Sequence, residues 1–262
     1  MNHDPSPAAA PADRIRIVLV GTQHPGNIGS AARAIKTMGL DRLVLVAPQR
    51  YPHADAVAMA AGADDVLESA RTVDSLAEAV ADCRLVLGCT ARSRRVSLEE
   101  LSPRVAAARA RDAALAGAEA ALVFGRERTG LENDELQLCH AAVHIPANPG
   151  YSSLNLAAAV QVLAYELRMA LLEGDAGHAA DGHGQGGHSD LPASHAQMEG
   201  LFAQLAQTLD DIDFHKGRAP DSAMRKLRRL FLRGRLDERE VRLLRGILAD
   251  AQRMARLAAG QR

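Results

Sequence analysis

Five short apolar runs punctuate the first 145 residues: Ile15–Val20, Leu43–Val46, Leu85–Leu87, Ala120–Phe124 and Ala142–Ile145. They lack the regular apolar–polar alternation of a strand with one wet face, so each reads as a strand covered on both sides. Helical patterns separate them. Asn27–Met38 is predicted helical and stopped by Gly39, and Ser75–Ala81 follows a candidate N-cap at Asp74. A long, Ala-rich apolar helix is predicted over Ser153–Leu172. Strands alternating with helices predict an α/β domain with a mostly parallel sheet. Aromatic residues make up only 3% of the chain and Trp is absent, so Ala, Leu and Val must fill the core.

The pattern breaks at Glu173–His195, which holds six Gly and four His (His178, His183, His188, His195) and no apolar periodicity. It reads as a flexible linker whose histidines are solvated. Beyond it, Met198–Leu209, Ser222–Leu232 and Glu238–Leu257 carry apolar residues at helical spacing and predict a small all-α domain of about three helices. The expected organisation is a disordered tail at 1–13, an α/β domain at 14–172, a linker at 173–195 and a helical domain at 196–262. The tail has neither a basic start nor an apolar run, and no stretch approaches the roughly 20 apolar residues that span a bilayer, so a cytoplasmic protein is expected. Cys83, Cys89 and Cys139 form no CxxC pair and no even disulfide set, so neither a zinc site nor a disulfide framework is expected. Formal net charge is −1, but residues 196–262 carry fourteen Lys/Arg against nine Asp/Glu, a basic bias that hints at nucleic acid.

Gly21-Thr-Gln-His-Pro-Gly-Asn-Ile-Gly-Ser30 follows the first strand and opens a helix, a common place for a ligand-binding turn. Gly21 and Gly26 have the spacing of a P-loop, but Asn27 stands where the phosphate-binding Lys belongs and Ile28 where the Ser/Thr belongs, so that reading fails. Gly26-x-x-Gly29 matches only part of a dinucleotide fingerprint. Two readings stay open: a loop that offers Asn27 and Arg33 to a polyanion near a helix N-terminus, and a tight turn with a solvated Arg.

Three segments in order carry a resemblance: Gly26-Asn-Ile-Gly-Ser-Ala-Ala-Arg-Ala34, Phe124-Gly-Arg-Glu-Arg-Thr-Gly-Leu131 and Ile145-Pro-Ala-Asn-Pro-Gly-Tyr-Ser-Ser-Leu-Asn-Leu-Ala157. They look like the signature motifs of the SpoU/TrmH branch of the SPOUT methyltransferases, over roughly residues 14–172. Met224-Arg-Lys-Leu-Arg-Arg-Leu-Phe231 and Leu244-Arg-Gly-Ile-Leu-Ala249 resemble the C-terminal domain of bacterial enzymes that methylate the 2′-hydroxyl of cytidine or uridine at tRNA position 32. The resemblance implies a trefoil-knotted α/β domain, which general topology rules would not suggest, a homodimer, S-adenosylmethionine as cofactor and tRNA as substrate. It places the cofactor on Cys89, Thr90 and Ala91, on Gly125, and on Ile145 with Ser152, Ser153, Leu154, Asn155 and Leu156.

In-line methyl transfer from a sulfonium needs positioning and help with one proton, and neither a metal nor a covalent intermediate. Arg33 resembles the family's catalytic arginine. One role the resemblance offers it is general base for the 2′-hydroxyl; a guanidinium gives up its proton only with difficulty, so the other, holding phosphate and stabilising the forming alkoxide, suits it better. Asn27 and Asn155 are expected to fix these groups, and Ser153 to touch ribose or cofactor. Glu127 is expected to pair with Arg33 or Arg126, or to make a simple ion pair at the turn. Tyr151 is expected against cofactor or a partner subunit. For RNA contact the candidates are Arg126 and Arg128, and the cluster Arg225, Lys226, Arg228, Arg229, Arg233 and Arg235, with Leu227, Leu230 and Phe231 turned inward. Arg84, Arg92, Arg94 and Arg95 form a second basic cluster. The competing readings are an inactive RNA-binding module of the same fold, a nucleotide-triphosphate enzyme using the Gly21–Gly29 loop, and, within the methyltransferase reading, another tRNA position or ribosomal RNA.

Overall fold

The structure, a computed structural model, describes residues 10–91, 98–178, 191–216 and 219–259. The chain divides between residues 183 and 184 into two compact units.

The first unit is a seven-stranded sheet: β1 (Ile15–Val20), β2 (Leu43–Val46), β3 (Arg71–Val73), β4 (Leu85–Cys89), β5 (Glu99–Leu101), β6 (Ala120–Phe124) and β7 (Ala141–Val143). Their spatial order is β3-β2-β1-β6-β4-β7-β5 and every pairing is parallel. The α/β expectation therefore holds. β6 enters between β1 and β4, and β7 between β4 and β5, so the last two strands fill gaps between strands laid down earlier. Helices α1 (Pro25–Thr37), α2 (Ala54–Ala60), α3 (Asp64–Glu68), α4 (Leu76–Ala79), α5 (Pro103–Leu115), α6 (Asn133–Gln137) and α7 (Leu156–His178) complete the unit.

The lack of alternation in the strands has the expected cause. Ile15, Ile17 and Leu19 of β1 pack with Ile28 and Ile35 of α1, Ala106 and Ala110 of α5, and Val160, Leu163 and Leu167 of α7. Val18 and Val20 pack on the opposite face with Val44, Val46, Leu76, Ala79, Leu131 and Leu136. Both faces are dry, so both sets must be apolar. Arg16 interrupts the run, yet it is buried, and its guanidinium bonds Asp82 at 2.5 and 2.7 Å, Glu119 at 2.7 Å and the Ala79 carbonyl at 3.0 Å. A buried cation persists only with such partners.

Element ends differ from expectation where caps decide them. α1 begins at Pro25, whose missing N–H costs nothing in a first turn. Ser75, not Asp74, caps α4, its hydroxyl accepting from Glu78 N–H at 3.2 Å. α7 begins at Leu156, not Ser153, because the Asn155 side chain accepts from the N–H groups of Ala157 (2.9 Å) and Ala158 (3.4 Å). β3 and β5 escape the sequence pattern because each has three residues with two exposed. Of the expected tail, residues 1–9 lie outside the described residues, and Pro11–Arg14 forms a 3-10 turn whose Asp13 accepts from Ala10 N–H at 2.8 Å. Of the expected linker, 179–190 lie outside the described residues, and 173–178 continue α7.

The second unit contains α8 (His195–Asp211), α9 (Pro220–Gly234) and α10 (Glu238–Ala259). Ala193, Met198, Leu201, Phe202 and Val241 form its core, with Phe231, Leu232, Leu244 and Leu248 packed against it. His195 is a correction: it opens α8 and is 3% exposed, not a solvated linker residue. Among the described residues no helix is long and apolar enough to cross a membrane, and no group of three or more His, Cys, Asp or Glu stands together as a metal would need.

Candidate active site

Three loops converge at the C-terminal edge of the sheet. β1 ends at Val20, and Gly21 turns the chain with φ +59°, a left-handed conformation that favours glycine. The N–H groups of Gln23 and His24 stand just ahead of α1, where no intrahelical carbonyl reaches them. No helix-capping side chain of α1's own satisfies them. The carboxylate of Glu127 does, accepting from Gln23 N–H at 3.0 and 3.2 Å and from His24 N–H at 3.1 Å. A negative charge here also suits the positive end of the helix.

Glu127 reaches this place on a loop that leaves β6 and folds back tightly. Arg126 N–H donates to the Gly130 carbonyl at 3.2 Å, and Gly130 N–H to the Arg126 carbonyl at 2.8 Å. At Gly125 the returning chain comes so close that a Cβ would stand 2.1 Å from the Gly130 carbonyl carbon, which explains the glycine without a ligand. Glu127 was expected to pair with Arg33 or Arg126. Instead the Asn27 amide donates to its Oε1 at 3.0 Å. The Asn155 amide in turn donates to Asn27 Oδ1 at 3.1 Å, from the N-terminus of α7. The direction of this chain is forced. A carboxylate only accepts, so Asn27 must show it Nδ2 and turn Oδ1 to Asn155, whose own Oδ1 is held by the α7 backbone. Burial alone would raise the Glu127 carboxyl, but hydrogen bonds from Asn27, Gln23 and His24 outweigh it and hold the group below the usual carboxylate range.

The remaining candidates lie on α1, at the end of β4 and in the loops after β4 and β7. Arg33 lies on α1 and is exposed; among the described residues its guanidinium takes no hydrogen bond or ion pair, so nothing ties it to Glu127. Cys89 ends β4, half-buried against the core, and burial pushes its thiol up, leaving it protonated. Thr90 N–H donates to the Val143 carbonyl at 2.9 Å, and His144 Nδ1 lies 3.3 Å from the Thr90 carbonyl, so the loop after β4 is stitched to the end of β7; exposed Ala91 follows. Ile145 packs on the core, Ser152 and Leu154 are half-buried, Leu156 is buried, and Ser153 is exposed. Tyr151 is 82% exposed.

The basic candidates divide. Arg126 Nη1 lies 3.0 Å from both carboxylate oxygens of Glu135, an internal pairing that competes with any RNA phosphate, while Arg128 is exposed. Arg228 likewise turns inward: it bonds Glu199 through both terminal nitrogens and lies 4.6 Å from the Phe202 ring centroid. Arg225, Lys226, Arg229, Arg233 and Arg235 are exposed. Phe231 does pack inward, but Leu230 is 54% exposed, so the expected apolar face of α9 is shifted by a fraction of a turn. Arg84 is half-buried, and Arg92, Arg94 and Arg95 lie outside the described residues. Sequence reading missed the backbone donors of Gln23 and His24, which leave no mark in side-chain identity, and the Arg126–Glu135 pair.

Fold and site together define a two-unit protein, with a parallel α/β unit in which three loops are joined by hydrogen bonds at one edge of the sheet, and a helical unit. Residues 14–165 match the SpoU rRNA Methylase family, and residues 196–260 match the C-terminal domain of tRNA methyltransferase TrmJ. The chain belongs to the SpoU methylase family and carries a TrmJ-type C-terminal domain. It is 49% identical over 246 residues to the tRNA (cytidine/uridine/adenosine-2′-O-)-methyltransferase TrmJ of Pseudomonas aeruginosa strain UCBPP-PA14, covering 93% of this chain and 96% of that one. It is 51% identical over 240 residues to the tRNA (cytidine/uridine-2′-O-)-methyltransferase TrmJ of Salmonella choleraesuis strain SC-B67, covering 91% and 96%. Among solved structures, TrmJ from Z. mobilis ZM4 superposes with a TM-score of 0.76 at 35% identity, covering 90% of this chain and 97% of that one.

Proposed function

We propose that this chain is a cytoplasmic tRNA 2′-O-methyltransferase that uses S-adenosylmethionine and acts on cytidine or uridine at position 32 of the anticodon loop. The observation that carries the reading is the Asn155–Asn27–Glu127 chain, which joins three sequence-distant motifs at one edge of the sheet. The names borne by relatives of about half-identical sequence support the tRNA ribose as substrate. On this reading 14–172 is the catalytic domain, trefoil-knotted and paired with a second copy, and 196–262 holds tRNA.

The residues at the strand ends fit such a cofactor. Cys89 is the one thiol among its proposed contacts, and burial keeps it protonated, so no thiolate stands ready to be alkylated. When bound, the cofactor supplies an electrophilic methyl carbon. Cys89, Thr90, Ala91, Gly125, Ile145 and Ser152–Leu156 would hold it, mostly through backbone and small side chains. Arg33 has a guanidinium with no partner of its own among the described residues. It grips the substrate phosphate and stabilises negative charge forming on the 2′-oxygen. Asn27 and Asn155, locked in orientation by Glu127, keep the N-termini of α1 and α7 in register, so Arg33 and Ser153 meet the same nucleotide. Arg225, Lys226 and Arg229 contact phosphates without reading bases.

The test is incubation of purified protein with an unmodified tRNA transcript and methyl-labelled cofactor, followed by nuclease digestion and mass spectrometry. The expected product is 2′-O-methylcytidine or 2′-O-methyluridine at position 32. A base-methylated nucleoside overturns the chemistry, and ribose methylation elsewhere overturns the position. The family's description as rRNA methylases favours ribosomal RNA as a second reading, so an rRNA fragment belongs in the same experiment.

A further inference from the structure

Arg126 was expected to face RNA. Its side chain instead lies across the first turn of the site. A Cβ built on Gly21 would stand 2.8 Å from Arg126 Nε and 3.0 Å from its Cγ, so the arginine stem occupies the space that glycine leaves free at the end of β1. Beyond Gly21 its Nη1 lies 3.0 Å from both oxygens of Glu135 and 3.6 Å from Glu132. Glu135 is itself fixed, because its Oε2 accepts from Glu132 N–H at 2.6 Å in the first turn of α6. Arg126 and Glu135 are 27% and 14% exposed, so the pair is partly withdrawn from water and less screened than a surface pair.

The residue next to Arg126 is Glu127, whose carboxylate holds Gln23, His24 and Asn27. Two fastenings thus run side by side from one loop to the end of β1: a stem over Gly21 and a carboxylate on the following N–H groups. We infer that the Arg126–Glu135 pair is a positioning latch for the proposed methyl transfer, setting where Glu127 stands and, through Asn27, where α1 presents Arg33. Arg126 acts through its neighbours and does not itself touch the reacting atoms. The inference rests on the methyltransferase reading above.

The experiment compares Glu135→Gln, Arg126→Met and the double variant in the full-length protein. Gln at 135 still accepts from Glu132 N–H, and Met keeps an apolar stem over Gly21, so both are expected to fold. Three readouts are taken: kcat and KM for tRNA methylation, tRNA affinity by filter binding without cofactor, and hydrogen exchange at the Gln23 and His24 amides. The latch predicts a kcat loss of about 10- to 100-fold in each single variant, as a small misplacement costs, and a similar loss in the double variant because the two residues act as one unit. It also predicts tRNA affinity within about twofold of wild type, and faster exchange at Gln23 and His24. An Arg126 that binds RNA gives the opposite pattern: Arg126→Met weakens tRNA binding, Glu135→Gln leaves or strengthens it, and exchange is unchanged. That result, or unchanged kcat in both single variants, overturns the latch. Wild-type protein inactive on every RNA tried overturns the methyltransferase reading instead, and the exchange readout still decides whether the pair sets Glu127.

Discussion

The Asn155 amide donates to the Asn27 side-chain oxygen at 3.1 Å across 128 positions of sequence, with Asn27 already bound to Glu127. Asn155 has two separable jobs here: it caps α7 and it orients Asn27. Asn155→Asp keeps the cap, since a carboxylate accepts from Ala157 and Ala158 N–H, but it cannot donate and it adds charge near Glu127. We expect its melting temperature to stay near wild type while kcat falls at least about tenfold, whereas Asn155→Ala also loses about 1 kcal/mol of stability with the cap. Full activity in Asn155→Asp sinks the bridging role.

Arg33→Ala is expected to abolish tRNA methylation while leaving stability within about 0.5 kcal/mol of wild type, since its side chain is exposed and has no bonding partner among the described residues. Cofactor affinity by calorimetry should stay within about threefold of wild type. Loss of cofactor binding along with turnover contradicts the role assigned to this residue.

Gly29 lies where α1 crosses α2. A Cβ there would stand 1.9 Å from the Ala56 carbonyl oxygen and 2.9 Å from the Ala60 nitrogen, both backbone atoms that cannot turn aside. Gly29→Ala gains about 1 kcal/mol of helix propensity and loses more, about 3 kcal/mol, to overpacking. Thermal unfolding should register a net destabilisation; a stabilised variant shows that the helices do not cross this closely.

Because Glu127 is held below the usual carboxylate range, the unfolded chain binds its proton more readily than the folded one. Its contribution to stability is complete above the ordinary glutamate range of about 4.3 and is lost as pH falls through the lower folded value. The stability gap between wild type and Glu127→Gln should therefore be constant near neutral pH and shrink on acidification below about pH 4. A gap that widens with acid refutes the hydrogen-bond account.

The basic helix α9 separates into two behaviours. Arg225→Ala and Arg229→Ala should weaken tRNA binding and each lower the slope of log affinity against log salt by about 0.7 to 0.9. Arg228→Ala should instead destabilise the helical unit by about 1 kcal/mol, through loss of Glu199 and the Phe202 ring. An Arg228 variant with wild-type stability and a reduced salt slope reverses this division.

Much of the fold was legible in residue pattern. The five apolar runs mark five of the seven strands, and the three helices of the second unit lie close to their expected spans, because burial on a face enforces a period that side-chain identity records. The three-residue edge strands β3 and β5 carry too few buried positions to show one. His195 read as part of a solvated linker because it ends a Gly- and His-rich stretch without apolar periodicity; only the packing of α8 made it a buried residue.

Sequence alone determined the parallel α/β class, the helical second unit and the family motifs, since these follow from local periodicity, turn chemistry and residue identity. Tertiary structure decided what each charged or amide group faces. Glu127 holds backbone N–H groups and Asn27 in place of an arginine, Arg126 and Arg228 are neutralised inside their own units, and Arg33 is left free among the described residues. A side chain's type fixes what it can bond, but which partner it meets is chosen by strand order, by where helices begin and by how they pack, and those are settled only when each unit has closed.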